Sequence, residues 1–289
     1  THIYDMVKRA ADLDMPAVAI TDHGVMSGVP ELDEACRKVK NETGKWVKPI
    51  FGCEIYFTTD SELKKQKQKL HHMILLAKNN TGYHNLLKLV SESHVDNFYY
   101  RPRTTYEMLQ KYSEGIIATS ACIAGIIPRC IDDGAFAEAK EWAQKFAALY
   151  EPGDFYIELQ DHGLEEDNTV LPQLIKLARE TGIPMAATND SHYLRKEDAK
   201  MQGILLCIQT GKTINDVDRM EFQTDEFYLK STDEMYELFS MVPEACENTN
   251  KIAEQCNFAF TFGETKLPYF RATLRSSAGR DWNAVTPER

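Results

Sequence analysis

Residues of the types that bind metal ions recur around several strand-length apolar runs, mostly at or just after the C-terminal end of a run. They are Asp22, His23, Glu54, His71, His72, Cys122, His162, Asp190 and His192. Imidazole, carboxylate and thiolate groups together suit Zn²⁺, Mn²⁺ or Fe²⁺, and suit an oxygen-only Ca²⁺ or Mg²⁺ cage poorly. Several such ions would serve phosphoester hydrolysis, because one ion activates a bound water and a neighbour neutralises the phosphoryl oxygens. No residue is assigned as catalytic, since a metal-bound water is the expected nucleophile.

The recurrence of these residues favours a metal site more than any one of them does. A single His at a strand end is more often a hydrogen-bonded structural residue, and a lone Cys among apolar neighbours is usually a small hydrophobe. Asp190 and His192 are two positions apart, so an extended backbone would point both to one face. The same alternation predicts that only one residue of the Asp22-His23 pair, and one of the His71-His72 pair, binds a metal directly.

The elements that must position these residues alternate between strands and helices. Strand-length apolar runs occupy Ala17–Thr21, Pro49–Phe57, His72–Ala77, Gly115–Thr119, Asp154–Gln160 and Pro184–Thr188. Helical spacing of apolar residues occurs between them, as in Ile3–Leu13 and Ala135–Leu149. This order predicts an α/β fold with a parallel sheet and right-handed crossovers. The strand ends would then converge on one face of a barrel, where sites are built.

The last third of the sequence is mainly helical. We expect a helix over Lys196–Gln209, a second that opens on the capping box Ser231-x-x-Glu234, and a third that begins at Pro243. From Arg271 onward the sequence has no clear period and few apolar residues, so disorder is expected there. The domain prediction is a barrel over residues 1–210, a post-barrel segment over 211–270 and a tail over 271–289.

Composition limits the classes of function. The chain has 289 residues, 43% of them apolar, and a net charge of −11, which disfavours tight non-specific binding to duplex DNA by this chain alone. Its seven cysteines include no CxxC pair, which indicates a reducing cytoplasm. No secretory signal, membrane span or initiator Met is visible, and the last absence suggests a start inside a longer reading frame. The basic run Lys64–Lys69 is interpreted as a solvated loop in preference to a phosphate-binding patch.

Short motifs carry a family resemblance. Thr21-Asp22-His23-Gly24, with Asn189-Asp190-Ser191-His192-Tyr193 downstream, resembles the PHP (polymerase and histidinol phosphatase) superfamily. Leu75–Tyr83, Tyr100-Arg101-Pro102-Arg103 and Glu226-Phe227-Tyr228-Leu229-Lys230 narrow it to the DnaE-type alpha subunits of bacterial DNA polymerase III. So do Asn248-Thr249, Ile252-Ala253 and Cys256-Asn257. The resemblance covers roughly Ile3 to Phe270.

The resemblance implies a distorted (β/α)7 barrel that lacks its first strand here, followed by a small helical extension. By motif match the metal ligands are His23, Glu54, His72, Cys122, Asp190 and His192. They would hold two or three Zn²⁺ or Mn²⁺ ions in the intact parent site. Asp22, His71 and His162 would lie beside the ligands without binding a metal directly, and Arg101 and Arg103 would contact substrate. Without the first strand, and with it further ligands, activity of this segment alone is doubtful.

Three functions remain open on sequence alone. The first is the PHP domain of a replicative polymerase, with 3′–5′ exonuclease activity implied for the domain and DNA-directed nucleotidyl transfer for the parent protein. The second is a stand-alone phosphoesterase acting on a small ester such as histidinol phosphate. The third is a scaffold that docks a proofreading exonuclease subunit and other replisome components, and it is compatible with the first. The segment after the barrel separates the first from the second, because a small phosphatase does not need it.

Overall fold

The computed structural model describes residues 1–60 and 66–264 of the chain. Lys64 and Lys65 of the basic run, and the tail predicted from Arg271, lie outside the described residues. The chain divides into one compact unit, Thr1–Phe258, and a second, Ala259–Arg289. The elements below belong to the first unit.

Eight strands and ten α-helices make up the described part of this unit. The strands are β1 Ala17–Ile20, β2 Lys48–Phe57, β3 His71–Ala77, β4 Phe98–Tyr99, β5 Arg101–Thr104, β6 Ile116–Thr119, β7 Phe155–Leu159 and β8 Met185–Ala187. The helices are α1 Ile3–Asp12, α2 Val29–Thr43, α3 Asn80–Val95, α4 Tyr106–Lys111, α5 Ile126–Asp132, α6 Phe136–Ala147, α7 Asp167–Thr181, α8 Ala199–Thr210, α9 Thr232–Leu238 and α10 Pro243–Gln255. The α/β class and the helical extension are therefore confirmed.

The strands form one curled sheet in the order β4-β5-β2-β3-β6-β7-β8, with β1 pairing with β2 as well. The β1–β2, β6–β7 and β7–β8 pairs are parallel, whereas β3 is antiparallel to both β2 and β6. The expectation of an all-parallel sheet is therefore wrong at β3. A parallel neighbour needs a long crossover, usually a helix, and the described residues between β2 and β3 contain none.

The reversed direction of β3 matters for the site. His71 and His72 begin this strand, and His72 lies opposite Tyr56 near the end of β2. The start of β3 therefore meets the same edge of the sheet at which β1, β2 and β6 end. A parallel β3 would have carried these histidines to the opposite edge.

The core packs the outer face of the sheet against helices. Phe57 of β2 contacts Phe146 of α6 edge-on, with ring centroids 5.3 Å apart. Both rings are fully buried, as are Leu86 of α3 and Ile127 of α5. Burying an apolar side chain of this size contributes roughly 1.5–3 kcal/mol, so helix packing stabilises the strands that present the polar residues.

Helix α10 packs against the sheet at β2, β3, β7 and β8. Ile252 of this helix and Cys256, which directly follows it, are buried against Ile50, Leu76 and Tyr156. Asn248 of the same helix donates a hydrogen bond to the carbonyl of Met185 in β8, at 2.8 Å. The predicted helix start at Pro243 and the capping box of Ser231 and Glu234 are both present. The helical extension is thus packed onto the barrel.

A cavity of about 710 Å³ lies between β1, which pairs with β2, and β8, which pairs with β7. Ala17–Ile20 line one wall, and Ala186, Ala187 and Thr188 line the other. His23, Asp190 and His192 lie among the residues that line this cavity. The sheet is therefore a curled part-barrel whose open side adjoins the predicted metal ligands.

Two features of this unit escaped the sequence prediction. The β4–β5 hairpin has three consecutive aromatic residues followed by two arginines on either side of a proline, which do not form an apolar run. Helices α4 and α5 have only 6 and 7 residues, too few to show a helical period.

In the described part of the chain no helix is long and apolar enough to cross a membrane.

Candidate metal centre

His23, Glu54 and His72 bring one ligand atom each within 4.8 Å of one another. The Glu54 Oε1 atom lies 2.7 Å from His72 Nδ1 and 3.8 Å from His23 Nδ1. Backbone pairing fixes this arrangement, because Gly24 N donates to the Glu54 carbonyl and Glu54 N donates to the Asp22 carbonyl. The turn after β1 is thereby held beside β2 at the position of Glu54.

Cys122 joins this group from the loop after β6. Its Sγ atom lies 3.6 Å from His72 Nδ1 and 3.9 Å from Glu54 Oε1. Burial raises the pKa of the Cys122 thiol, and the charges of Glu54 and Asp190 raise it further. The preceding residue, Ala121, has a φ of 59°, a left-handed conformation that non-glycine residues adopt infrequently. The loop is therefore held in an uncommon conformation directly beside the cysteine.

Asp190 and His192 come from the loop after β8. His192 Nδ1 lies 3.8 Å from Asp190 Oδ1 and 2.7 Å from the Asp190 carbonyl oxygen. Their proximity arises through a turn, since β8 ends at Ala187 and Asp190 has a φ of 44°, not an extended one. Burial raises the pKa of the Asp190 carboxyl, the nearby His192 lowers it, and the charge of Glu54 raises it. Asp190 and Glu54 are both among the residues that line the cavity between β1 and β8.

The donor set fits a bound cation. Glu54 and Asp190 are carboxylates that repel each other at close range, and Cys122 adds a thiol that is buried beside them. No Lys or Arg forms an ion pair with Glu54 or Asp190 in the described part of the chain. Buried charges of one sign are costly unless they are paired or bind a metal ion. A set of imidazole, carboxylate and thiol donors suits a transition-metal ion.

Asp22, His71 and His162 lie around this group with other partners. Burial raises the pKa of the half-buried Asp22 carboxyl. His71 is buried, and burial lowers its pKa to about 4. His162 stacks on Phe227 with ring centroids 4.0 Å apart, and its Nε2 atom lies 2.9 Å from the Asn189 carbonyl oxygen. Among the described residues the cluster of close ligand atoms contains His23, Glu54 and His72, and it includes neither these three residues nor Cys122, Asp190 and His192.

Arg101 and Arg103 have different environments. Arg101 is exposed, and its guanidinium carbon lies 5.4 Å from the centre of the Tyr56 ring. Arg103 is only 3% exposed and donates to the Asn97 carbonyl at 3.0 Å and to the Gln68 side chain. Arg101 is therefore accessible to a ligand, whereas Arg103 is built into the protein.

Sequence reasoning missed a buried carboxylate, Glu158. It lies in β7 and accepts hydrogen bonds from Thr119, from Thr188 and from Gln160 Nε2, the last at 2.9 Å. Burial raises the pKa of its carboxyl group. The signal was a single Glu inside the otherwise apolar run Phe155–Leu159. A charged residue in a strand buried on both faces indicates a polar interior at that position.

A second missed residue is Lys230, which lies in the segment after the barrel. It is 6% exposed, and its Nζ atom donates to Asn189 Oδ1 at 3.1 Å and to the carbonyl and carboxylate of Glu226. Asn189 in turn donates to the carbonyl oxygens of Glu226 and Tyr228. His192 N donates to the Phe227 carbonyl at 2.8 Å. Residues 226–230 therefore hold the loop that carries Asp190 and His192.

Comparison with known proteins agrees with this architecture. The PHP domain family model matches residues 1–162, more than half of the chain. The chain belongs to the PHP domain family. Within that family it is similar to proteins named DNA polymerase III subunit alpha, as the sequence motifs indicated.

Relatives from three bacteria give the extent of this similarity. The chain is 44% identical over 274 residues to the protein of Borreliella burgdorferi, an alignment that covers 93% of the chain and 23% of the relative. It is 41% identical to the Treponema pallidum protein over 92% of the chain and 23% of the relative. It is 38% identical to the Thermus aquaticus protein over 88% of the chain and 21% of the relative. The chain thus spans less than a quarter of the length of these relatives.

Proposed function

We propose that this chain is the metal-binding PHP region of a bacterial replicative DNA polymerase alpha subunit. In the intact parent protein, His23, Glu54, His72, Cys122, Asp190 and His192 would contribute to a site that holds two or three Zn²⁺ or Mn²⁺ ions. The proposed activity of the region is metal-dependent hydrolysis of phosphodiesters, as a 3′–5′ exonuclease. Templated nucleotidyl transfer is proposed for the longer parent protein, and this chain would not polymerise DNA by itself.

The observation that carries the proposal is the convergence of His23, Glu54 and His72 at one edge of the sheet. They come from three separate elements, and their ligand atoms lie within 4.8 Å of one another. Cys122 lies within 3.9 Å of two of them. The similarity to polymerase alpha subunits supports DNA as the substrate class.

The chain's own residues would set the charge and the shape of the centre. Bound ions would supply an activated water and would neutralise the phosphoryl oxygens of the substrate. Glu54, at the middle of the group, would balance the charge of the ions. The hydrogen bond from His192 N to the Phe227 carbonyl orients the His192 backbone. The half-buried surroundings of Asp190 and His72 limit the access of bulk water.

The proposed partners are DNA through the parent polymerase, a proofreading exonuclease subunit and other replisome components in the cytoplasm. A docking role is compatible with hydrolysis, because the docking surface and the metal centre need not overlap. The similarity to polymerase alpha subunits over 93% of the chain in the Borreliella burgdorferi protein supports this assignment.

A stand-alone phosphoesterase of the histidinol-phosphatase kind is the second candidate. The open cavity beside Asp190 and His192 could admit a small phosphate ester. The packing of residues 226–230 on the Asn189–Tyr193 loop favours the polymerase assignment, because the segment after the barrel is part of the site's support.

The experiment compares metal content and substrate choice in the purified chain and in a full-length relative. Each protein is dialysed, its bound metals are quantified, and hydrolysis of 3′-labelled single-stranded DNA and of histidinol phosphate is measured. We expect bound Zn²⁺ or Mn²⁺ in the full-length protein and a clear preference for DNA. For substitutions of the histidines proposed as ligands, His84→Ala is the matched control. His84 is exposed, and its one hydrogen bond among the described residues is with the Asn80 carbonyl of its own helix. A folded full-length protein without metal would refute the metal centre, and a preference for histidinol phosphate would favour the second candidate.

A further inference from the structure

The β4–β5 hairpin is fixed to the turn that carries His23. A Cβ atom at Gly24 would lie 2.7 Å from Cγ of Pro102, and Gly24 has a φ of 68°, so this close approach requires glycine. His94 Nε2 donates to the Gly24 carbonyl at 2.8 Å. Pro102 of β5 and His94 of α3 thereby lie against the backbone of the proposed metal-ligand turn.

One aromatic ring connects the hairpin to the centre. The Tyr56 ring stacks on His23 with centroids 5.8 Å apart and meets His72 edge-on at 5.5 Å. Arg101 lies over the same ring, with its guanidinium carbon 5.4 Å from the ring centre. The Arg101 guanidinium therefore contacts the same ring that contacts two of the proposed metal ligands, His23 and His72. No ion pair of Arg101 occurs within the described part of the chain, so its charge is available to a ligand.

The tip of the hairpin exposes aromatic side chains to solvent. Tyr100 is 79% exposed, and Phe98 is 52% exposed. Tyr100 has a φ of 60°, which is unusual for a bulky residue, and its ring meets Tyr99 edge-on at 4.7 Å. A strained backbone that presents a bulky aromatic ring to water often marks a functional site.

We propose that Tyr100 and Arg101 form a subsite for single-stranded DNA beside the metal centre, in which Arg101 contacts a backbone phosphate and Tyr100 stacks on a base. The proposal rests on the proposed phosphodiesterase function and deepens it by placing the strand that enters the centre. Single strands offer free base faces, which a duplex does not, and aromatic stacking with a cationic contact is how proteins bind them without reading sequence. The net charge of −11 also disfavours a duplex, which would need many phosphate contacts.

The test measures binding of a fluorescent single-stranded oligodeoxynucleotide to the whole chain by anisotropy, over a range of salt concentrations. Tyr100→Asn removes the ring and keeps a residue type that tolerates this φ. It should weaken binding about fivefold or more with little change in salt dependence. Arg101→Met should lower the slope of log affinity against log salt by about 0.7, because one phosphate contact is lost. Tyr100→Phe should retain the affinity.

Trp46→Ala is the matched control, because Trp46 is an aromatic residue, 44% exposed, before the start of β2 and hence at the opposite edge of the sheet. Unchanged binding in both hairpin variants, or an equal loss in Trp46→Ala, overturns the proposal. Equal competition by a blunt duplex overturns it as well. An oligoribonucleotide offers the same phosphates and equivalent base faces. If the Tyr100 and Arg101 variants bind only the oligoribonucleotide more weakly, DNA is not the occupant of the subsite.

The same preparations separate this inference from the proposed metal centre. Metal content is measured for each variant and should match that of the unmodified chain, since Tyr100 and Arg101 supply no ligand atom. Normal metal content with unaltered oligonucleotide binding refutes the subsite and leaves the metal centre intact. Oligonucleotide binding through Tyr100 in the chain, together with a folded full-length relative that holds no metal, refutes the metal centre and leaves the subsite intact.

Discussion

Glu54 is the residue at which the candidate centre converges. Its Oε1 atom is within 4 Å of atoms from His23, His72 and Cys122, and its charge acts on Asp190. The side chain is nearly inaccessible, at 4% exposure for the whole residue. A carboxylate this deeply buried is unfavourable without a cation, which is the physical reason to expect a metal ion at this position.

At His192 and His162 the structure distinguishes two kinds of histidine. We predict that His192→Ala removes more metal than His162→Ala, because the family resemblance makes His192 a ligand and its Nδ1 atom lies 3.8 Å from the Asp190 carboxylate, whereas His162 is buried with its ring stacked on Phe227. Loss of a supporting group typically weakens metal affinity about 10–100-fold, and loss of a ligand should weaken it further. Metal titration of both variants decides the point, and equal losses would show that the ligand set is drawn wrongly.

Arg103 and Arg101 are expected to contribute differently to the stability of the fold. We predict that Arg103→Ala lowers the free energy of unfolding by about 2–4 kcal/mol, since it leaves partly buried acceptors on Asn97 and Gln68 without this donor and removes packed methylene groups. Arg101→Ala should change it by less than about 0.5 kcal/mol, as is usual for an exposed residue. Urea denaturation of both variants is the measurement. Equal stabilities would contradict the buried role of Arg103.

Among the elements, the segment over residues 226–230 has the clearest effect on the site. It runs beside the loop after β8, where Leu229 N donates to the Tyr193 carbonyl at 3.0 Å. Lys230 connects this segment to the loop by its contacts with Asn189 and Glu226. A loop that carries two proposed ligands is thus positioned by residues about 35 to 40 positions further along the chain.

We predict that Lys230→Met weakens metal affinity about 10–100-fold while the chain remains folded, because Asn189 loses its donor and the Asp190 loop loosens. Lys212→Met is the matched control, since Lys212 pairs with the exposed Asp218 away from Asn189. Competition with a chelating dye measures the affinity, and circular dichroism checks the fold. Lys230→Arg should restore part of the affinity. Identical affinities in the Lys230→Met and Lys212→Met variants would remove the segment from the site.

The sequence predicted the elements with long, uniform patterns and failed where a short or polar one intervened. All six predicted strands are present, because each is an apolar run that is buried in the sheet. The direction of β3 could not be predicted, since a period of apolar residues contains no information on strand direction. The hairpin Phe98–Thr104 was missed because Arg103, a charged residue, is buried there by contacts that no local pattern encodes.

The candidate site shows the same division. Residue types indicated the candidate ligands, which stay a prediction. Strand ends predicted the edge of the sheet at which His23, Cys122 and Asp190 lie, whereas His72 reaches that edge because β3 is antiparallel to β2 and β6. Lys230 and Asn189 were missed because their contact joins positions 41 apart, and only the folded chain brings them together. Glu158 carried a visible signal in its apolar surroundings, which points to burial but not to the hydroxyl groups of Thr119 and Thr188 that meet it.

For the whole molecule, the proposed metal centre is a crosslink between distant parts of the chain. His23 follows β1, Glu54 lies in β2, His72 begins β3, Cys122 follows β6, and Asp190 follows β8. An ion held by such residues binds the folded chain far better than the unfolded one, so binding free energy becomes folding free energy. The open side of the sheet, between β1 and β8, lies next to this crosslink.

We predict that removing metal lowers the melting temperature of the chain by about 5–10 °C. An ion at about 100 times its dissociation constant stabilises the folded state by about 2.7 kcal/mol, and each kcal/mol shifts the melting temperature of a domain of this size by about 2–4 °C. Scanning calorimetry before and after dialysis against a chelator measures the shift, and added Zn²⁺ or Mn²⁺ should reverse it. Glu54→Gln should melt near the metal-free temperature with or without added metal, whereas His84→Ala should respond as the unmodified chain does. A chelator-treated chain that melts at the original temperature would show that the five elements are held together without an ion.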